Sequence, residues 1–175
     1  MVGTDGSDQI LGYAGDDVIC GGYGADTIHG HSGFDHIQGN QGNDNLWGED
    51  QNDVLQGGQG DDILHGGNGL DYLEGNLGND DLRGDNHDDV IYGNYGNDYI
   101  LGGDGSDFIY GNQDDDYING DTGSDWVHGG QGNDEVRGGL GWGTDDVYGG
   151  VGTDECYGGA ADTIDGSCET IFSEP

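Results

Sequence analysis

The chain has 175 residues, 42 of them Gly and 37 acidic, against two Arg, no Lys and one Pro, for a formal net charge of −35. So acidic a surface repels phosphate and argues against a nucleic-acid partner, and apolar runs of two or three residues are too short for a membrane-spanning helix. Low hydrophobicity with high net charge is also the composition of a disordered chain, and only the order of the residues argues otherwise.

That order is a nine-residue grid. Gly recurs at every ninth position from Gly3 to Gly129. Five residues after each comes an acid: Asp8, Asp17, Asp26, Asp35, Asp44, Asp53, Asp62, Asp71, Asp80, Asp89, Asp98, Asp107, Asp116, Asp125 and Asp134. Two residues further on stands an Ile, Leu or Val. From Gly138 the copies continue with altered spacing, a copy with two extra residues (Trp142 among them), a regular copy, and two shortened ones, with Asp145, Asp154, Asp162 and then Glu169 in the acidic place. So short a unit cannot bury its apolar residue alone, and a fixed short period means stacked copies with one continuous core. The array fills 1–172 as a single domain, regular over 3–137 and irregular over 138–172, with 173–175 as a tail.

Within a copy such as Gly102–Tyr110, the first six residues carry the glycines that turns need, and the last three alternate out, in, out as a short strand with Ile109 inward. Two copies make a coil of 18 residues, so copies two apart lie above one another at about 4.8 Å in two facing parallel sheets. The inward column runs without a polar intrusion from Ile10 to Val147 and on through Cys156, Ile164 and Ile171.

The stacked acids oppose this fold. Two carboxylates about 4.8 Å apart repel by roughly 3–4 kcal/mol at an effective dielectric near 20. Asn would cap the turns without that repulsion, so an unbroken Asp column points to cations between successive turns. Carboxylates and peptide carbonyls are hard oxygen ligands, which favour Ca²⁺ over transition metals. Roughly 13 to 17 gaps between stacked turns would hold as many ions, bringing about +26 to +34 against −35. The eighteen Asp residues from Asp8 to Asp162 in the sixth position are the candidate ligands.

The copies resemble the RTX, or haemolysin-type, calcium-binding nonapeptide G-G-x-G-x-D-x-U-x. Gly21–His29 is a full match, as are the copies beginning at Gly57, Gly66, Gly102 and Gly129. The resemblance implies an all-β parallel β-roll, a two-sheet right-handed β-helix, with Ca²⁺ held by sixth-position Asp residues and turn carbonyls. It also implies secretion, with folding after exit into calcium. In three copies the fourth position, expected to be left-handed, is Gln51, His87 or Asp114 in place of Gly. Gln51 suits that conformation least, so weakened or distorted sites are expected beside it. Asp114 reads as a tolerated turn residue in preference to an extra ligand.

Cys156 and Cys168 lie about one shortened coil apart and are expected to form a disulfide, with two buried thiols as the alternative; Cys20 points outward without a partner. His29, His65 and His128 fall at outward ninth positions and read as surface residues, and paired acids such as Asp61–Asp62 and Asp88–Asp89 read as turn chemistry, not as a hydrolytic pair. No nucleophile lies near a His and an acid in a repeated way, so no enzyme is expected. On the sheet of even-numbered copies, Tyr72, Val90, Tyr92, Phe108, Tyr110, Trp126 and Tyr148 form an outward aromatic band. It is either a stabilising ladder or a surface for self-association or glycan contact. The uncovered edge of the first coil also invites pairing. The chain carries no segment of signal-peptide makeup, so it reads as an excised segment of a larger secreted protein or as a small self-standing roll. Two functions follow: an extracellular calcium-binding structural or adhesive module, open to assembly into fibres or a surface layer, or the C-terminal calcium-folded secretion and attachment module of a secreted enzyme or toxin.

Overall fold

The computed structural model describes residues 1–139 and 143–173; Trp142, Glu174 and Pro175 lie outside them. The regular structure of the described residues is entirely β. One sheet contains β1 (Gln9–Leu11), β3 (Thr27–Ser32), β5 (Asn45–Asp50), β7 (Ile63–Asn68), β9 (Asp81–Asn86), β11 (Tyr99–Asp104), β13 (Tyr117–Thr122), β15 (Glu135–Arg137), β17 (Glu155–Gly158) and β19 (Thr170–Ser173). The other contains β2 (Val18–Tyr23), β4 (His36–Gln41), β6 (Val54–Gln59), β8 (Tyr72–Leu77), β10 (Val90–Tyr95), β12 (Phe108–Gln113), β14 (Trp126–Gln131), β16 (Asp146–Val151) and β18 (Thr163–Ile164). Strands alternate between the sheets, so each coil contributes one strand to each. All the pairing is parallel, and Ile91 sits between Leu73 and Ile109, 18 residues either side. This is the β-roll expected from the grid.

The strands are longer than the sequence suggests. A three-residue strand was expected from each copy, yet the regular strands have six, positions seven to nine of one copy and one to three of the next. The extension passes through a left-handed residue at position two. That place is Gly22, Gly58, Gly67, Gly103 or Gly130 in some copies. In others it is Asn40 (φ 81°), Asn76 (φ 80°), Asn94 (φ 84°), Asp85 (φ 74°) or Asp121 (φ 69°), residues that accept this conformation best after Gly. His31 (φ 72°) and Glu49 (φ 82°) adopt it too. The abundance of Gly, Asn and Asp at position two is the signal that could have disclosed the bend. The fourth position has positive φ in most copies, including Gln51 (φ 77°), His87 (φ 79°) and Asp114 (φ 75°), though not at Gly6 or Gly69.

Two kinds of residue point inward. From Ile19 to Val147, then Cys156, the eighth-position aliphatic column is fully buried. Each six-residue strand also buries its first-position Gly, as in the order half-buried, buried, half-buried, buried, half-buried, exposed of β5, β6, β8 and β10. At the C-terminal end the Cys156–Cys168 disulfide, Cα atoms 5.8 Å apart, pins the last coil, while Cys20 is a free thiol that accepts a hydrogen bond from Asn40 Nδ2. Ile109→Ala, in the middle of the core column, is expected to cost about 2–5 kcal/mol in a denaturant or thermal melt. Val18→Ala, at an exposed outward position, should stay within about 0.5 kcal/mol. Equal losses would mean that the column carries no special share of the stability.

Candidate metal centre: the stacked turns

The sixth-position acids form a ladder along each edge of the roll. From Asp26 to Asp134, and again at Asp154, each carboxylate is buried. Its Oδ1 accepts the backbone N–H of the equivalent Asp one coil earlier: Asp80 N–H donates to Asp98 Oδ1 at 2.9 Å, and Asp98 N–H to Asp116 Oδ1 at 2.9 Å. The same bond recurs from Asp8–Asp26 to Asp134–Asp154. In the shortened last copies Asp162 Oδ1 takes the Asp145 N–H, and Glu169 Oε2 takes the Asp154 N–H, so Glu169 does occupy the acidic place.

The other oxygen is different. The Oδ2 atoms of fourteen of these residues, among them Asp53, Asp89, Asp98, Asp107 and Asp154, are buried without a hydrogen-bond donor. Each lies against the first-position Gly of its own copy. A Cβ on Gly93 would come within 2.2 Å of Asp98 Oδ2 and 2.8 Å of the Gly111 carbonyl oxygen; one on Gly111 would come within 2.2 Å of Asp116 Oδ2 and 2.6 Å of the Gly129 carbonyl. Gly is required here because any side chain would fill the space into which a carboxylate oxygen and a carbonyl oxygen converge. Acceptors brought together in a buried place with no donor between them are costly unless a cation joins them. Among the described residues no three His, Cys, Asp or Glu side chains converge on one point. The oxygen set therefore depends on peptide carbonyls beside carboxylates, which is the chemistry of Ca²⁺ and not of zinc or copper. On these observations the residues present fit calcium.

The electrostatics agree. Burial, first of all, and neighbouring acids push the carboxyls of Asp89 and Asp116 up to about 9, those of Asp62 and Asp125 to about 8, and those of Asp53 and Asp98 to about 7, with the accepted backbone N–H working the other way. Asp71, Asp80, Asp107 and Asp134 rise to about 6. The array ends differ. Asp8 and Asp17 are only partly buried. Asp8 Oδ2 accepts from Thr4 N–H at 2.6 Å and Thr4 Oγ1 at 2.8 Å, and Asp162 Oδ2 accepts from the Gly159 N–H. Both are thus satisfied within their own turns. Asp145 Oδ1 accepts the Asp125 N–H at 2.9 Å. The distortion expected beside Gln51 does not show in the ladder: the bonds from Asp35 to Asp53 and from Asp53 to Asp71 are both 2.7 Å, because the left-handed backbone is reached without Gly. Asp114 Oδ2 accepts from the Gly96 N–H, as a turn residue does.

A second ladder went unnoticed in the sequence. Fifth-position side chains accept the N–H of the equivalent residue one coil later, in an unbroken series through Asn43, Asp61, Asn79, Asn97, Asp115 and Asn133. Asp88 does the same for Ser106 on the other edge. This is the turn chemistry expected of the paired acids.

On the outer faces, the aromatic band lies where alternation places it. Phe108 stacks on Trp126 at 4.3 Å between centroids, and Tyr92 lies 5.8 Å from Tyr72 and 6.2 Å from Phe108. Tyr110 stacks on His128 at 4.4 Å, with Tyr148 5.8 Å beyond. Several of these rings spend their faces on one another and turn edges outward, which is the ladder arrangement. On the opposite face Trp47 lies between His29 (4.6 Å) and His65 (6.0 Å). Glu49 accepts from or pairs with Nδ1 of both His29 and His31 at 2.7 Å, a grouping across 20 and 18 residues that the sequence reading missed.

Coil on coil, with two columns of donor-starved carboxylates facing glycine carbonyls, the molecule is a calcium-binding β-roll by class. Six overlapping matches to the family model of the RTX calcium-binding nonapeptide repeat run over residues 1–28, 21–55, 47–82, 74–109, 83–118 and 110–141. The chain belongs to the RTX calcium-binding nonapeptide-repeat family. A search of curated proteins found no significant match.

Two outcomes follow from this geometry. Gly111→Ala should disrupt folding, since its Cβ would collide with Asp116 Oδ2 and the Gly129 carbonyl, whereas Gly6→Ala, with open space around it, should be tolerated; circular dichroism reads both. The pH response is also signed. Carboxyls with raised values in the roll hold protons that the unfolded chain releases near pH 4. The metal-free roll is therefore most stable below about pH 4 and loses that stability as pH rises through about 6 to 9. In excess chelator the β signal should be larger at low pH than at pH 8. A β signal independent of pH would show that the buried carboxylates do not oppose the metal-free fold.

Proposed function

We propose that this chain is an extracellular structural or adhesive module that is disordered at low calcium and folds into its roll when Ca²⁺ enters between the stacked turns. The observation that carries this reading is the column of buried Oδ2 atoms without donors, those from Asp26 to Asp134 each beside a glycine carbonyl. Asp26 to Asp134 and Asp154 would hold the ions together with turn carbonyls, Asp145 completing the series, while Asp8, Asp17 and Asp162 at the ends would contribute weaker sites. Bound calcium supplies the positive charge that joins successive turns. The chain itself pre-orients the carboxylates through the Oδ1 ladder and keeps the space open with Gly. Calcium concentrations are high outside cells and low inside, so folding coupled to binding would place the ordered roll in an extracellular setting. The second reading is an appendage for export and attachment of a secreted enzyme or toxin; the Cys156–Cys168 disulfide, which needs an oxidising compartment, suits secretion under either reading.

A calcium titration followed by circular dichroism and calorimetry tests the proposal. Millimolar Ca²⁺ should bring a cooperative gain of β signal. Asp98→Ala and Asp107→Ala should each raise the calcium midpoint, because removing a direct ligand should weaken the sites it serves by at least the roughly tenfold that outer-shell changes cost. Asp104→Ala should do much less, since Asp104 sits on the outer face, where it accepts from Thr122 Oγ1. Equal shifts from all three substitutions would replace specific coordination with general charge neutralisation.

A further inference from the structure

The charges of this chain are unevenly divided between its two outer faces. The nine strands of the even-numbered sheet hold only two Asp or Glu residues, Glu74 and Asp146, and no Arg. The ten strands of the other sheet hold ten Asp, Glu and Arg residues, Asp50, Asp85 and Asp104 among them. In a chain of net charge −35 a nearly neutral face is a marked exception. Its central acid is tied within the face: Glu74 accepts from Gln56 Nε2 at 2.7 Å and from the Tyr72 hydroxyl at 2.5 Å. Asp146 lies near the end of the sheet, and so does Asp165, which follows β18 and lies beside Tyr110 and His128.

The same face exposes apolar side chains beyond the aromatic ladder. In the third-position row, Tyr95 is 51 % exposed, Leu77 46 % and Val151 72 %, with neutral Gln59 between them and the N-terminal coils. From β2 to β16 the face measures about 34 Å across the strands and about 20 Å along them, or roughly 700 Å². A standard interface buries about 800 Å² on each partner. A flat sheet face of this size suits another flat sheet packed about 10 Å away.

We infer that the outer face of the even-numbered sheet is the contact surface for a second copy of this chain, in a face-to-face dimer with two-fold symmetry. Charge selects the partner and the face. Two copies that met through the odd-numbered sheets would press like charges together, while the even-numbered faces bring almost none. The edge-on stacking of the rings leaves them a flat, packed surface, better suited to another sheet than to a sugar ring, which requires an open aromatic face. The inference rests on the calcium-folded roll proposed above, since without the fold there is no face.

Sedimentation velocity in calcium, with circular dichroism on the same samples, decides it. The wild-type chain should sediment at twice its 18.3 kDa mass. Gln59→Glu with Tyr95→Glu should raise the dimer dissociation constant by at least about tenfold, with an unaltered calcium-induced β signal. Leu11→Glu with Leu101→Glu, the same added charge on the opposite face, should leave dimerisation unchanged. A wild-type chain that is folded but monomeric at about 100 µM, some two orders of magnitude above a micromolar dissociation constant, overturns the inference. So does equal weakening by both pairs, or capture of a neutral polysaccharide by a monomeric chain through this face. A chain that gains no β signal with calcium overturns the reading in the preceding subsection, and this one with it.

Discussion

Each regular coil of this roll places a buried carboxylate oxygen that has no donor close to a peptide carbonyl, and the rest of the structure is arranged around that contact. It explains why the first position is Gly: at Gly93 or Gly111 a Cβ would sit little more than 2 Å from the carboxylate. Under the proposed calcium ligation it accounts for Asp at the sixth position in place of Asn, whose amide would put a donor where the ion would sit. It also accounts for the thin core. One aliphatic side chain per copy is enough for a fold whose coils are also joined along their edges.

The two carboxylate oxygens have separate tasks. Oδ1 binds the backbone of the preceding coil and fixes the orientation of the acid. Oδ2 is left without a donor. This division preorganises the site: the side chain that would bind calcium is already held by a hydrogen bond in every regular coil. The fifth-position ladder of Asn and Asp adds a second rail outside the first, so each turn is tied to its neighbour by side chain as well as by strand. At the C-terminal end the ladder is closed by local means, a disulfide and the internal bonding of Asp162.

Much of this was legible in the chain itself. The 18-residue register, the inward aliphatic column as far as Cys156, the outward aromatic band and the Cys156–Cys168 pairing all stand where the grid and the alternation place them; Ile171, expected to continue the column, is 56 % exposed, because no further coil covers β19 among the described residues. The left-handed fourth position was legible because Gly recurs there. The six-residue strand was not, because the reading stopped the strand at Gly, and a Gly that faces inward looks the same in sequence as one that makes a turn. The placid geometry beside Gln51 was also missed. Propensity disfavours that conformation for Gln, but neighbouring coils above and below hold the backbone in it.

By itself the sequence determined the period, and with it which residues face inward, which stack, and that acids recur at a spacing where ionised carboxylates repel one another. These are consequences of periodicity and of chain geometry, and they need no coordinates. The tertiary structure decided what depends on atoms rather than on positions. Two oxygens of one Asp are identical in sequence; only the coil stacked beside them gives Oδ1 a donor and leaves Oδ2 without one. His29 and Glu49 are 20 residues apart and meet only because a left-handed second position turns Glu49 toward the neighbouring strand. The left-handed fourth-position Gln51 is of the same kind, since stacked coils hold it where its own propensity would not.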